Sequence, residues 1–453
     1  MGVGRAYMGI SAEMWARYLQ VVVLGGAVGA GALCHAAGLA WAHGVTERVS
    51  VRTGGGQARG GSIFPAVSSN GRFVAFLSGA PNLIARDTNN TDDVFVHDRA
   101  DRTTERISIS TNGLQGNDTS FDVVAISATG RFVAFSSLAS NLVQEDTNGT
   151  YDVFVRDRRN RTTSRVSVST GGHQASGGSI GSVGAAISAN GRFVTFVSDA
   201  SDLVPNDTNN QLDVFVHDRE LGSTRRVSVG TDGTQANSFS NIAAISADGR
   251  FVAFVSEASN LVPGDTNGVR DAFVRDLKTR TTRRVHVGLG GAQANAGING
   301  GVLISANGRF VAFSSNASNL VPGDTNGSTD VFVRDRRMGT TLRESLGPGG
   351  TELRGQSFVT SISGNGRLIA FEYFDGFATD DRKNDSEVLV RNRRSGDIRR
   401  VTSGCLGATV IGCSASGVLS TSGEIVAFQA YADYLVPDDT NGENDIFVRE
   451  LRF

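Results

Sequence analysis

The chain has 453 residues, 57 of them glycine and 7 proline, with 19% charged residues and a formal net charge of −2. Its 39% hydrophobic share is enough to bury a core and excludes a disordered tail protein, while glycine without a Gly-X-Y period excludes collagen. Near-balanced charge gives no reason to expect a nucleic-acid partner, and the composition fits neither a coiled coil nor a multi-span membrane protein.

In chain order, the first segment is a targeting signal. Residues 18–42 carry no formal charge, follow Arg5 and Arg17, and end in Ala40-Trp41-Ala42. A positive lead, an apolar stretch and a small-residue cleavage site describe a secretory signal peptide over 1–42. An uncleaved anchor is the alternative, because about 20 apolar residues can span a bilayer. Either way the protein is expected to be exported: periplasmic, at the cell surface or secreted.

Residues 43–453 are one repeating unit. The string Asp-Thr-Asn recurs at Asp87, Asp146, Asp207, Asp265, Asp324 and Asp439, and Asp381 marks a degenerate copy between the last two. Each unit contains four strand-length runs, as in AAI (243–245), FVAF (251–254), DAFVRD (271–276) and RRVHV (283–287). Asn-Gly or Asp-Gly joins the first two runs in five units, which predicts type I′ hairpins. Apolar residues stand side by side in Phe251-Val252-Ala253-Phe254, as expected of a sheet covered on both faces. The innermost run is small, with Ala125, Ala186 and Ala244. Seven four-stranded antiparallel blades in a ring satisfy this pattern, so the fold class is all-β, a seven-bladed β-propeller. A parallel β-helix ranks second, its coils being shorter. The last unit ends at Phe453 without its fourth strand, and Thr46–Val51 has the missing sequence. The N-terminal strand is therefore expected to complete the last blade.

The unit Ser-Ala-Asp-Gly-Arg-Phe-Val-Ala-Phe (246–254) with Ala-Phe-Val-Arg-Asp (272–276) resembles the TolB-like propeller repeat of exported bacterial proteins. The resemblance covers 46–453 and implies the propeller fold and an envelope setting. The chain differs in lacking the repeat's proline, in having seven units, and in carrying the loop ASNLVPGDTNG (258–268) and its counterparts.

That loop holds the one recurring polar constellation, Asp-x-Asn-x-x-x-Asp. Its members are Asp87, Asn89 and Asp93; Asp146, Asn148 and Asp152; Asp207, Asn209 and Asp213; Asp265, Asn267 and Asp271; Asp324, Asn326 and Asp330; Asp439, Asn441 and Asp445. The sixth unit has Lys383 and Glu387 in the second and third places. Ca²⁺ takes six to eight oxygens, and each loop offers three side chains plus nearby carbonyls. The loop resembles a shortened form of the cation loops of integrin-type propellers. The alternative is an Asx-turn, in which Asp and Asn bond their own backbone.

Other chemistry is thin. Gly177-Gly178-Ser179-Ile180-Gly181 has the G-x-S-x-G spelling but sits in a linker rather than on a strand–helix elbow. His97 and His217 stand in an arginine column and His286 in a serine column. Cys405 and Cys413 form an even pair in an exported chain, which reads as a disulfide, with two free thiols as the alternative. Acidic loops and inter-blade linkers fall on one rim. The other is basic, with Arg156, Arg158, Arg159, Arg161 and Arg165 in one unit and Arg391, Arg393, Arg394, Arg399 and Arg400 in another. The function expected from these residues is a non-enzymatic, monomeric binding scaffold that meets a protein or glycan of the cell envelope on a rim. A propeller enzyme of the lactonase or lyase kind and a passive surface protein are the alternatives.

Overall fold

The computed structural model describes residues 40–41, 44–180, 186–374, 386–402, 414–431, 433 and 435–453. Its strands form seven antiparallel sheets, each a blade of a propeller. Blade 4 is representative: Ser240–Ile245 pairs with Phe251–Ser256, which pairs with Asp271–Asp276, which pairs with Thr281–Arg284. The ring closes as the sequence implies. Thr46–Arg48 lies antiparallel to Asp445–Glu450, with Thr46 opposite Arg449 and Arg48 opposite Phe447, as fourth strand of the last blade. Ala40–Trp41 adds a short parallel strand outside Ile398–Arg400 in blade 6. No helix among the described residues is long and apolar enough to cross a membrane. Most of 1–42, Asp381, Lys383, Cys405 and Cys413 lie outside the described residues.

The run of consecutive apolar residues has a two-sided cause. Phe313 and Phe332 stack at 6.0 Å on one face of blade 5. They pack on Ala253, Val255, Ala272 and Val274 of blade 4. Large rings on one face thus meet small side chains on the preceding blade, and both faces of each middle sheet are dry. Burying one phenylalanine in this way is worth about 3 kcal/mol.

Two local expectations need correction. In the Asn-Gly turn of blade 5, only Gly308 has a positive φ, and its N–H donates to the Ser305 carbonyl. A type I′ turn needs positive φ at both central residues, so these are wider loops. The preceding serine tightens them, as where Ser305 Oγ accepts the Phe310 N–H at 3.0 Å. Ser179 is not in a linker. It opens the inner strand Ser179–Ile180 and its Oγ bonds Ser198 at 3.0 Å, as Ser62 does with Ser78.

Candidate functional site

The acidic loops converge on arginines of their own chain. In blade 4, Arg284 Nη1 lies 2.8 Å from Asp265 Oδ1 and 3.1 Å from Asp271 Oδ2. Asn267 donates its amide nitrogen to Asp271 at 3.1 Å and to the Ala294 carbonyl of the next linker at 3.2 Å. His286 bonds the other Asp271 oxygen at 2.6 Å, a place held by Ser108, Ser167, Ser228 and Ser345 elsewhere. Arg106, Arg165, Arg226 and Arg343 bridge Asp87 to Asp93, Asp146 to Asp152, Asp207 to Asp213 and Asp324 to Asp330. Asn89, Asn148, Asn209 and Asn326 repeat the Asn267 bond to the second aspartate. In the last blade Arg48 reaches Asp439 at 3.0 Å and Asp445 at 3.7 Å, Ser50 donates to Asp445, and Asn441 joins them. In blade 6 Arg400 meets Glu387 at 3.2 Å.

Each constellation is therefore a clasp around a guanidinium. Burial raises the carboxyl pKa of the first aspartate, to about 6 for Asp324 and Asp439, with the arginine opposing the shift. The residues do not fit Ca²⁺. Asn326 turns its nitrogen to Asp330 and its oxygen to the Ser328 N–H at 2.9 Å, so the set falls well short of six oxygens. Among the described residues no group of three or more His, Cys, Asp or Glu is placed to hold a metal ion. The Asx-turn half of the reading is present in that Asn–backbone bond, but the aspartates bond arginine.

The basic rim is also largely spent inside the fold. Arg250 grips Asp276 at 3.0 and 2.7 Å, and stands over the Phe251 ring. Arg336 of the next blade covers that ring at 4.3 Å and donates to the Gly308 carbonyl. Arg156 donates to the Ser110 carbonyl and to Thr163, and His97 and His217 make the corresponding threonine bonds at 2.9 Å. Burial lowers the His217 pKa to about 4, leaving a neutral structural ring. Arg165 and Arg400, assigned to this rim from the sequence, belong to the clasps. The stack breaks between blades 3 and 4, where Leu277 replaces the covering arginine and a shallow cavity of about 410 Å³ opens over Phe193.

The remaining asymmetry gathers at the mouth of the central channel, on the acidic-loop side. In six blades the residue before the third strand is fixed by its carbonyl, which accepts an N–H at the start of the inner strand of the next blade. The pairs are Asp92 to Ser120, Tyr151 to Ser179, Leu212 to Ser240, Arg270 to Ile298, Thr329 to Ser357 and Asn444 to Ser62. The backbone bond repeats six times while the side chain changes every time. The residue after each of these donor serines or Ile298 is Ile63, Phe121, Ile180, Asn241, Asn299 or Phe358, three side-chain types in six blades. Phe121 meets Tyr151 at 5.8 Å and Phe358 meets Phe374 edge-on at 5.7 Å. Between these aromatic sectors lies a polar one. Arg270 Nη2 donates to Asn241 at 3.2 Å, and Asn299 donates to Thr329 at 3.0 Å, which bonds Asn316. Sequence reasoning missed these residues because it looked for what recurs; the signal was the columns in which near-identical units disagree.

No family model matches the chain, and no curated protein matches it significantly. Solved propellers do. An oligogalacturonate lyase from Vibrio parahaemolyticus is 12% identical over 87% of this chain and 90% of its own, with a TM-score of 0.53. The propeller domain of the Trilobed protease from Pyrococcus furiosus, described as having an open velcro topology, is 10% identical over 86% and 95%, with a TM-score of 0.51. TolB from Acinetobacter baumannii is 15% identical over 76% of this chain, which spans 64% of that protein's length, with a TM-score of 0.39. At these identities the likeness is one of fold, and the fold is shared by enzymes.

Proposed function

We propose that the protein is an exported, non-enzymatic binding scaffold that takes a protein or glycan of the cell envelope at the channel mouth on its acidic-loop rim. One observation carries this reading. The clasps and the arginine–phenylalanine stacks recur because the ring needs them, whereas Asp92, Tyr151, Leu212, Arg270, Thr329 and Asn444 differ on one identical backbone frame. Positions whose side chains differ from blade to blade on a common frame are where recognition can be written. Aromatic faces beside amides and one cation make a surface for binding, and among the described residues no nucleophile–base pair is part of it.

The test is capture from envelope extract by the folded protein, compared with a Phe121→Ala, Tyr151→Ala variant and with Arg337→Ala on the opposite rim. Capture should fall at least tenfold for the first and stay unchanged for the second. Equal capture by all three would place recognition elsewhere. Export is tested separately, by N-terminal sequencing of protein recovered outside the cytoplasm, with a start at His43 expected.

A further inference from the structure

We propose that the polar sector of the mouth, centred on Arg270, receives a single carboxylate of a hydroxylated ligand such as a sugar acid. This rests on the channel-mouth reading and adds the ligand's chemistry. Arg270 has five N–H donors. Among the described residues it makes no ion pair and one side-chain hydrogen bond, to Asn241, and its Nε is buried without a partner. Its guanidinium lies 5.9 Å from the Phe239 ring centroid, and its backbone is held by the Ile298 N–H. By contrast Arg250 and Arg284 are each paired with carboxylates, although the Nε of Arg284, like that of Arg270, has no partner. Glu257 favours the charge of Arg270 from a distance but is itself exposed and outside ion-pair range. A desolvated guanidinium with unused donors is a poor element of stability, and its planar fork matches a carboxylate.

The surroundings narrow the class. Asn241 and Asn299 both donate and accept, which suits hydroxyls beside the acid group. Aromatic pairs flank the sector on either side, as flat seats for sugar faces. Asp92 and Glu257, outside any ion pair among the described residues, repel a polyanion, so one carboxylate is favoured over many.

The experiment is calorimetric titration of the full chain, at low salt, with a glucuronate-terminated disaccharide and its methyl ester. The acid should bind at least tenfold more tightly than the ester. Arg270→Gln should erase that difference with an unchanged melting temperature, Arg270→Lys should restore part of it, and Arg337→Gln should keep it whole. Equal binding of acid and ester, or a difference that survives Arg270→Gln, overturns the proposal. A second arm compares a tripeptide acid with its amide; discrimination there but not between the sugars overturns the ligand class. Should no carboxylate bind while Phe121→Ala, Tyr151→Ala still abolishes envelope capture, this inference fails and the channel-mouth reading stands.

Discussion

Asp271, fully buried, and Glu372, partly exposed but desolvated, show two ways in which this ring treats a carboxylate. Asp271 is enclosed by Arg284, Asn267 and His286, so its charge is answered on every side. Removing one partner of a buried ion pair leaves the other uncompensated. Arg284→Ala should therefore cost about 3 kcal/mol in chemical denaturation, whereas Arg283→Ala, exposed next door, should cost almost nothing. Glu372, on the second strand of blade 6, has among the described residues the Ser416 N–H against it, and burial lifts its carboxyl to about 7 from an ordinary 4.5. The sign follows from linkage. Below pH 4.5 both folded and unfolded forms are protonated; as pH rises toward 7 only the unfolded form releases its proton, so stability is lost across that window. Glu372→Gln should thus stabilise the protein by about 1–2 kcal/mol at pH 8, a figure discounted for partial exposure, and by nothing at pH 4. A gain that does not depend on pH would show that charge is not its cause.

At the scale of elements, the blade interface depends on a glycine lying flat against a ring. A Cβ on Gly308 would come within 2.2 Å of Phe251, at a φ of +69°; one on Gly327, at +65°, would meet nothing within 4 Å. Gly327→Ala should cost about 1 kcal/mol for backbone strain alone, and Gly308→Ala distinctly more in the same urea titration. The closing strand contributes more than an edge. Thr46–Arg48 carries Arg48 into the last clasp, and Ser50 follows it to Asp445. Deleting Thr46–Val51 should cause aggregation or a large fall in melting temperature, because it exposes Asp445–Glu450 and orphans two aspartates. A soluble deletion with an unchanged melt would mean that closure is dispensable. This strand was legible in advance because Arg48-Val49-Ser50-Val51 spells the missing end of the final unit. The turn type was not, because Asn307-Gly308 fixes one positive φ and the Ser305 hydroxyl decides the rest.

For the molecule as a whole, the clasps set what cations can do. Six loops rich in aspartate read as a calcium rim until Arg106, Arg165, Arg226, Arg284, Arg343 and Arg48 are seen to enter them from the fourth strand. That partnership links positions 13 residues apart in blades 1–5, and its pattern was visible in the recurring arginine. Strand direction alone put Arg165, and Arg400 of blade 6, on the wrong rim, because the side chain reaches along the blade to its acidic end. Millimolar Ca²⁺ and EDTA are accordingly expected to give the same melting temperature by calorimetry. A rise with Ca²⁺ that Asp265→Asn, Asp271→Asn removes would show that the ion displaces Arg284. The fold was legible because the period and the runs of consecutive apolar residues are properties of the unit. The channel mouth was not, because its residues share no spelling and are brought together only when the ring closes.

The repeated bond from each residue before a third strand to the next inner strand makes the mouth a set of interchangeable seats. Whatever side chain occupies a seat, the chain path beneath it is the same, so the identity of the occupant is free to move. Exchanging Arg270 and Leu212 would carry the cation to the neighbouring seat without altering the frame that holds it, provided each side chain is accommodated there. On the proposed reading, recognition on this surface is an arrangement in order around a circle. Related chains could acquire different ligands by permuting a handful of residues, with every clasp and every ring stack left in place.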